Sequence, residues 1–171
     1  IPKIMHNAMY DLGWLWAEGI EVNGRIIDTM IVAACLDENR FSYALNPLGR
    51  DYLNERKSER DLHEAAQSFG VNAKAEMYKL PAHFVGAYAE QDAALTLKLW
   101  QHFKGLIVRE DVADVFNLET NVLKVVFEMR KRGVRVDIEK AEELKARLEK
   151  QEQEVLAKAG GQDIDIWAAA S

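Results

Sequence analysis

Val85-Gly86-Ala87-Tyr88-Ala89-Glu90-Gln91-Asp92-Ala93-Ala94-Leu95-Thr96-Leu97-Lys98-Leu99 is the stretch on which the reading of this chain turns. Its apolar positions Val85, Leu95 and Leu99, continued by Phe103 and Leu106, recur in threes and fours, which predicts one long helix with a buried stripe. Gly105 is expected to weaken the end of that helix. Counting back from Leu95 along the stripe reaches Asp92, then Tyr88, then Val85, so a carboxylate and a phenol stand in register with the core. A lone ionised carboxylate is costly there unless it is paired or binds a metal. Two readings stay open on periodicity alone: a metal or catalytic group, or a solvated acid near the helix start favoured by the dipole.

Outward from this helix the chain reads as strand-poor and helix-rich. Ile1 to His6 reads as a short strand without an initiator methionine, and the chain is expected to be cut at its front. A helix from Tyr10 to Glu18 runs into Gly19. Arg25-Ile26-Ile27 reads as a second strand, closed by Asp28-Thr29 as the N-cap of a helix over 29–36. Amphipathic pieces follow around 48–53 and 59–69, with Gly70 as a stop and Leu80-Pro81 as a fresh helix start. Beyond the long helix, Val115, Leu118, Val122, Val125, Val126 and Met129 mark another helix ending at Gly133. Val134-Arg135-Val136 is a strand or an extended link, and Asp137 caps a charged helix reaching about Lys158. Gly160-Gly161 is expected to end it.

The totals bound the function. The chain has 171 residues, 49% of them hydrophobic, enough for one domain or for one domain and the opening of a second. Its net charge is −6, and both halves, residues 1–109 and 110–171, carry more acids than bases. A generally DNA-coating protein is thereby disfavoured, and any nucleic-acid contact is expected to be local. Cys35 is alone, which excludes an internal disulfide, and its apolar surroundings predict a buried, inert thiol in a reducing compartment. No run approaches the roughly 20 apolar residues of a membrane span, so a cytoplasmic protein with no membrane partner is expected. His6, His63, His83 and His102 share no metal-ligand spacing and read as structural or solvated.

In His6-Asn7-Ala8-Met9-Tyr10-Asp11-Leu12-Gly13-Trp14-Leu15, Asp11 shares a helical face with Trp14 and Leu15, and Asn7 stands at the strand end with an amide able to bind a ligand. An Asn or Asp before an apolar helix is also a plain N-cap. This segment resembles the second exonuclease motif of the DEDD nucleases, an Asn followed by an aromatic-Asp pair. Tyr88-Ala89-Glu90-Gln91-Asp92 resembles their third motif in its Tyr-x-x-x-Asp form. The two lie in the right order about eighty residues apart, with Asp28-Thr29-Met30 between them. Glu119 to Asp137, with Gly133-Val134-Arg135-Val136-Asp137 and the charged helix after it, resembles the opening of the polymerase region in family A DNA polymerases. Lys74 to Pro81 is similar to phage-type members. The tail Asp163-Ile164-Asp165-Ile166-Trp167 falls near the Asn-rich segment of such enzymes but matches it poorly.

The resemblance implies an α/β, ribonuclease H-like 3′→5′ proofreading exonuclease, truncated at its N-terminus and followed by a mostly helical extension. Residues 1–109 would be the exonuclease domain and 110–171 the helical start of a polymerase domain. It implies two divalent ions, Mg²⁺ or Mn²⁺, with Asp92 as a direct ligand and Asp11 acting on the second ion largely through water. Tyr88 would orient the attacking water, and Asn7 and Tyr10 would line the groove for the 3′ end of single-stranded DNA. The remainder of a polymerase chain is the implied partner. A first Asp-x-Glu motif should precede Asp11, yet none of the ten residues before it is acidic, so two carboxylates are expected to be missing and the fragment alone to be inactive. Asp137-Ile138-Glu139 fits the pattern but stands at a helix start, where it reads as an N-cap and a first-turn acid. Arg130, Lys131, Arg132 and Arg135 read equally as phosphate contacts or as bases favoured at a helix C-terminus. The alternatives are a ribonuclease D-like RNA-processing nuclease and a non-catalytic scaffold of the same fold.

Overall fold

A computed structural model describes residues 1–55 and 59–158. Two short strands, β1 (Lys3–Met5) and β2 (Ile26–Asp28), pair in parallel with Ile4 opposite Ile27 and Met5 opposite Asp28. They are joined through helix α1 (Ala8–Ala17) as a β-α-β unit. Helices α2 (Thr29–Leu36), α3 (Leu45–Leu53) and α4 (Arg60–Phe69) follow, then α5 (Ala82–Arg109), α6 (Ala113–Arg132) and α7 (Ile138–Lys158). The described residues are therefore mostly helical, with one two-stranded parallel sheet among them.

Alternation along β2 decides which helices cover which face of the sheet. Ile26 packs with Ala8 and Leu12 of α1 and Leu123 of α6. Ile27, pointing the other way, joins Val32 and Ala33 of α2, Leu48 of α3, and Leu99, Phe103 and Ile107 of α5. A third cluster, Leu62, Ala66, Ala73 and Leu80, fastens α4 and the segment after it. The stripe of α5 keeps the expected register, from half-buried Val85, Tyr88 and Asp92 to fully buried Leu95, Leu99 and Phe103.

Several expectations shift in detail. Helix α5 runs through Gly105 to Arg109, because Ile107 beyond the glycine is buried in the main core. Of the two readings of Val134-Arg135-Val136, the link holds. Cys35 is only half-buried, and burial raises its thiol pKa, which favours the unreactive protonated form. Asp11 and Trp14 share a face of α1 as expected, and it is the exposed one; the buried face is Ala8 and Leu12, and Trp14 is 60% exposed. The expected helix stop at Gly160-Gly161 and the tail segment 163–167 lie outside the described residues.

The chain divides into two compact units, Ile1–Lys131 and Arg132–Ser171. The first takes in nearly all of α6, whose Phe116 sits in the main core. In the second, Asp137 caps α7 by accepting from the Lys140 N–H at 3.1 Å, as Asp137-Ile138-Glu139 predicts. The exposed surface of α7 carries pairs such as Lys145 with Glu149 at 3.7 Å.

Candidate active site at the strand ends

Parallel strands aligned at their C-terminal ends deliver two chain reversals side by side, the usual place for a ligand crevice in α/β sheets. After β1 the chain turns at Asn7, which adopts the left-handed conformation (φ 62°, ψ 54°) that Asn tolerates better than most side chains. Asn7 occupies the N-cap position of α1, but its side chain makes no capping bond. That work falls to Asp28 at the end of β2. Its Oδ1 accepts the N–H groups of Asn7 and Met30, both at 2.9 Å, and its Oδ2 accepts the Ala8 N–H at 2.7 Å. One carboxylate, 4% exposed, thus caps both α1 and α2.

Beside it, the Thr29 hydroxyl donates to the Met5 carbonyl at 3.1 Å and lies 2.8 Å from His6 Nδ1. The hydroxyl has one hydrogen, already committed to Met5, so the neutral imidazole carries its proton on Nδ1 and donates it to Thr29. Burial lowers the His6 pKa, and Asp28, the Tyr43 main chain and Asp92 offset this only in part. The ring is therefore a neutral structural tie between the two strand ends. Sequence reasoning assigned Asp28 to α2 alone; its second role depends on the strand register, which no local signal reveals.

The cleft above these turns has a volume of about 810 Å³. Asn7, Tyr10 and Asp11 line it from the start of α1, and Tyr88 and Asp92 from the first turns of α5. All five candidate residues thus face one space. The Asp11 pKa is raised, first by burial and then by the charge of Asp28. Glu59 and Lys74, which the sequence did not single out, also line the cleft and lie 3.5 Å apart. Among the described residues, no group of three or more His, Cys, Asp or Glu side chains is arranged to hold a metal ion. His63 pairs with Glu59, His83 stacks on Phe84 and His102 approaches Tyr52, so these histidines are structural or superficial.

A family model described as a 3′-5′ exonuclease matches residues 1–107. The chain belongs to the 3′-5′ exonuclease family of DNA polymerases of the A type. It is 33% identical over 153 residues to a DNA-directed DNA polymerase of Pseudomonas phage M6, an alignment covering 88% of this chain and 23% of that protein. It is 35% identical over 144 residues to DNA polymerase DpoZ of Salmonella phage PMBT28, covering 81% and 23%. DNA polymerase I of Chloroflexus aurantiacus is 28% identical over 145 residues, covering 84% and 15%. The chain therefore spans about a quarter of the length of its phage relatives. These relatives are polymerases, which favours the proofreading exonuclease over the ribonuclease D-like alternative. Among the described residues no helix is long and apolar enough to cross a membrane.

Proposed function

We propose that the cleft is the hydrolytic centre of a proofreading exonuclease, in which Asp11 and Asp92 hold divalent ions and Asn7, Tyr10 and Tyr88 handle a single-stranded DNA 3′ end. The observation that carries this reading is the meeting of all five residues, from two helices about eighty positions apart, in one cleft at the strand ends. Two carboxylates in a half-open cleft fit a hard, partly hydrated ion such as Mg²⁺ or Mn²⁺, and they make up part of a ligand set. Such ions, when bound in a pair, activate water and neutralise charge on the leaving oxygen. The residues of this chain do the rest. Tyr88 orients the attacking water through its phenol, the Asn7 amide holds the substrate by hydrogen bonding, and Tyr10 offers a ring to the terminal base.

The same reading makes the first unit a ribonuclease H-like domain, supported by its β-α-β core with the candidate acids at the strand ends. Residues 1–109 then supply the nuclease site, and 110–171 are the helical opening of a polymerase region whose first helix, α6, packs on the nuclease through Phe116 and Leu123. The remainder of that polymerase is the natural partner. In the polymerase that carries this chain, Asp92→Ala should abolish 3′→5′ hydrolysis of single-stranded DNA. Tyr88→Phe should slow it at least tenfold while leaving Mn²⁺ affinity within about twofold, by the usual size of a positioned proton-handling group. An Asp92→Ala enzyme that still proofreads at the parental rate refutes the assignment.

A further inference from the structure

Residue Tyr10 lines the cleft, and its ring meets that of Trp14, one turn further along α1, edge to face with centroids 6.3 Å apart. Tyr10 is 58% and Trp14 60% exposed, so the pair forms an aromatic ridge that leaves the cleft along the outer face of α1. Single exposed aromatics need no explanation, but two in contact, one of them inside a binding cleft, make a continuous surface. On the flank of this ridge lies Arg130 of α6, whose Nη1 donates to the Met9 carbonyl at 2.8 Å. Its guanidinium carbon comes within 3.4 Å of where a Cβ on Gly13 would stand. A glycine inside a helix costs about 1 kcal/mol relative to alanine. At position 13 the guanidinium lies beside the ridge, at the distance of an ordinary van der Waals contact from such a Cβ. A guanidinium has five N–H donors, and the bond to Met9 uses one of them.

We propose that Trp14 and Arg130 form a second nucleotide subsite, in which Trp14 stacks the base behind the terminal one and Arg130 receives the phosphate between them. The proposal rests on the cleft being a single-strand nuclease site. An aromatic face next to a cation is the combination that binds single strands without regard to sequence. It is also the local basic contact that a chain of net charge −6 requires in order to hold a polyanion. Continuity with the cleft through Tyr10 favours nucleic acid over a protein partner on this face.

The test is calorimetric titration of the 171-residue chain with thymidine 5′-monophosphate and with a thymidylate pentamer. Trp14→Ala should weaken pentamer binding about fivefold or more, the effect of losing one stacked base. It should leave the mononucleotide affinity unchanged, and Trp14→Phe should restore most of the pentamer affinity. Arg130→Gln should make pentamer binding less salt-dependent, with the slope of log K against log salt smaller by about 0.7. If Trp14→Ala binds the pentamer as the parent does while the mononucleotide still binds, the subsite is wrong and the cleft stands. If the parent chain binds neither ligand, the subsite and the cleft reading fall together.

Discussion

Asp28 shows how much structure one side chain organises here. It ends β2, accepts three main-chain N–H groups and thereby starts both α1, which carries Asn7, Tyr10 and Asp11, and α2. A buried donor left without its acceptor costs about 1–3 kcal/mol. Asp28→Ala strips three at once, although water can reach part of the gap, so a loss of about 3 kcal/mol or more is expected in urea unfolding of the chain. Asp28→Asn should lose less. Its carbonyl oxygen can keep the Asn7 and Met30 bonds, and only the Ala8 N–H then faces an amide donor. A loss below about 1 kcal/mol for Asp28→Ala would show that this carboxylate does not hold the two helix starts. The sequence marks Asp28 as a cap because Asp before Thr and an apolar run is a local signal. That it also caps α1 follows only from pairing Met5 with Asp28 across the sheet.

At the scale of elements, α5 is the post against which α2, α3 and α4 pack, and its close approach to α3 is set by Gly49. A Cβ at that position would stand 2.9 Å from Leu95 Cδ2 and 3.3 Å from the Glu55 carbonyl. Leu95 is buried and stands one turn from Asp92, so it has little room to yield. Gly49→Ala should therefore destabilise by about 1–3 kcal/mol, the usual range for overpacking, and be seen as a lowered thermal midpoint. An alanine protein as stable as the parent would mean that the helices can separate freely. The long helix itself was legible because three- and four-residue spacing survives whatever packs on it. Its end was not: Gly105 disfavours helix by about 1 kcal/mol, but burying an isoleucine such as Ile107 returns about 1.5–3. The face of α1 was likewise ambiguous, since Leu12, Trp14, Leu15 and Trp16 surround the helix with apolar residues. Only contact with Ile26 shows that Ala8 and Leu12 turn inward.

At the scale of the whole molecule, the decisive quantity is the number of carboxylates that the cleft offers. Among the described residues, Asp11 and Asp92 are the candidate metal ligands that line it, with Glu59 drawn toward Lys74. Mg²⁺ demands a near-octahedral oxygen shell and gives up water reluctantly, so an ion held by so few protein oxygens stays largely hydrated and exchanges freely. Neither the attacking water nor the leaving oxygen is then held in line, and alignment of the reacting groups is worth several kcal/mol of the barrier. The purified 171-residue chain should consequently show no measurable 3′→5′ shortening of a single-stranded oligonucleotide with Mg²⁺ or Mn²⁺. On the proposed function, a protein of the phage polymerases' length that includes this segment should shorten the same oligonucleotide once further carboxylates complete the ligand set. The assay is gel resolution of an end-labelled strand, run with the Asp92→Ala chain beside the parent. Shortening by the parent chain that disappears in the Asp92→Ala chain would mean that these two aspartates suffice and that the cleft needs no further carboxylate.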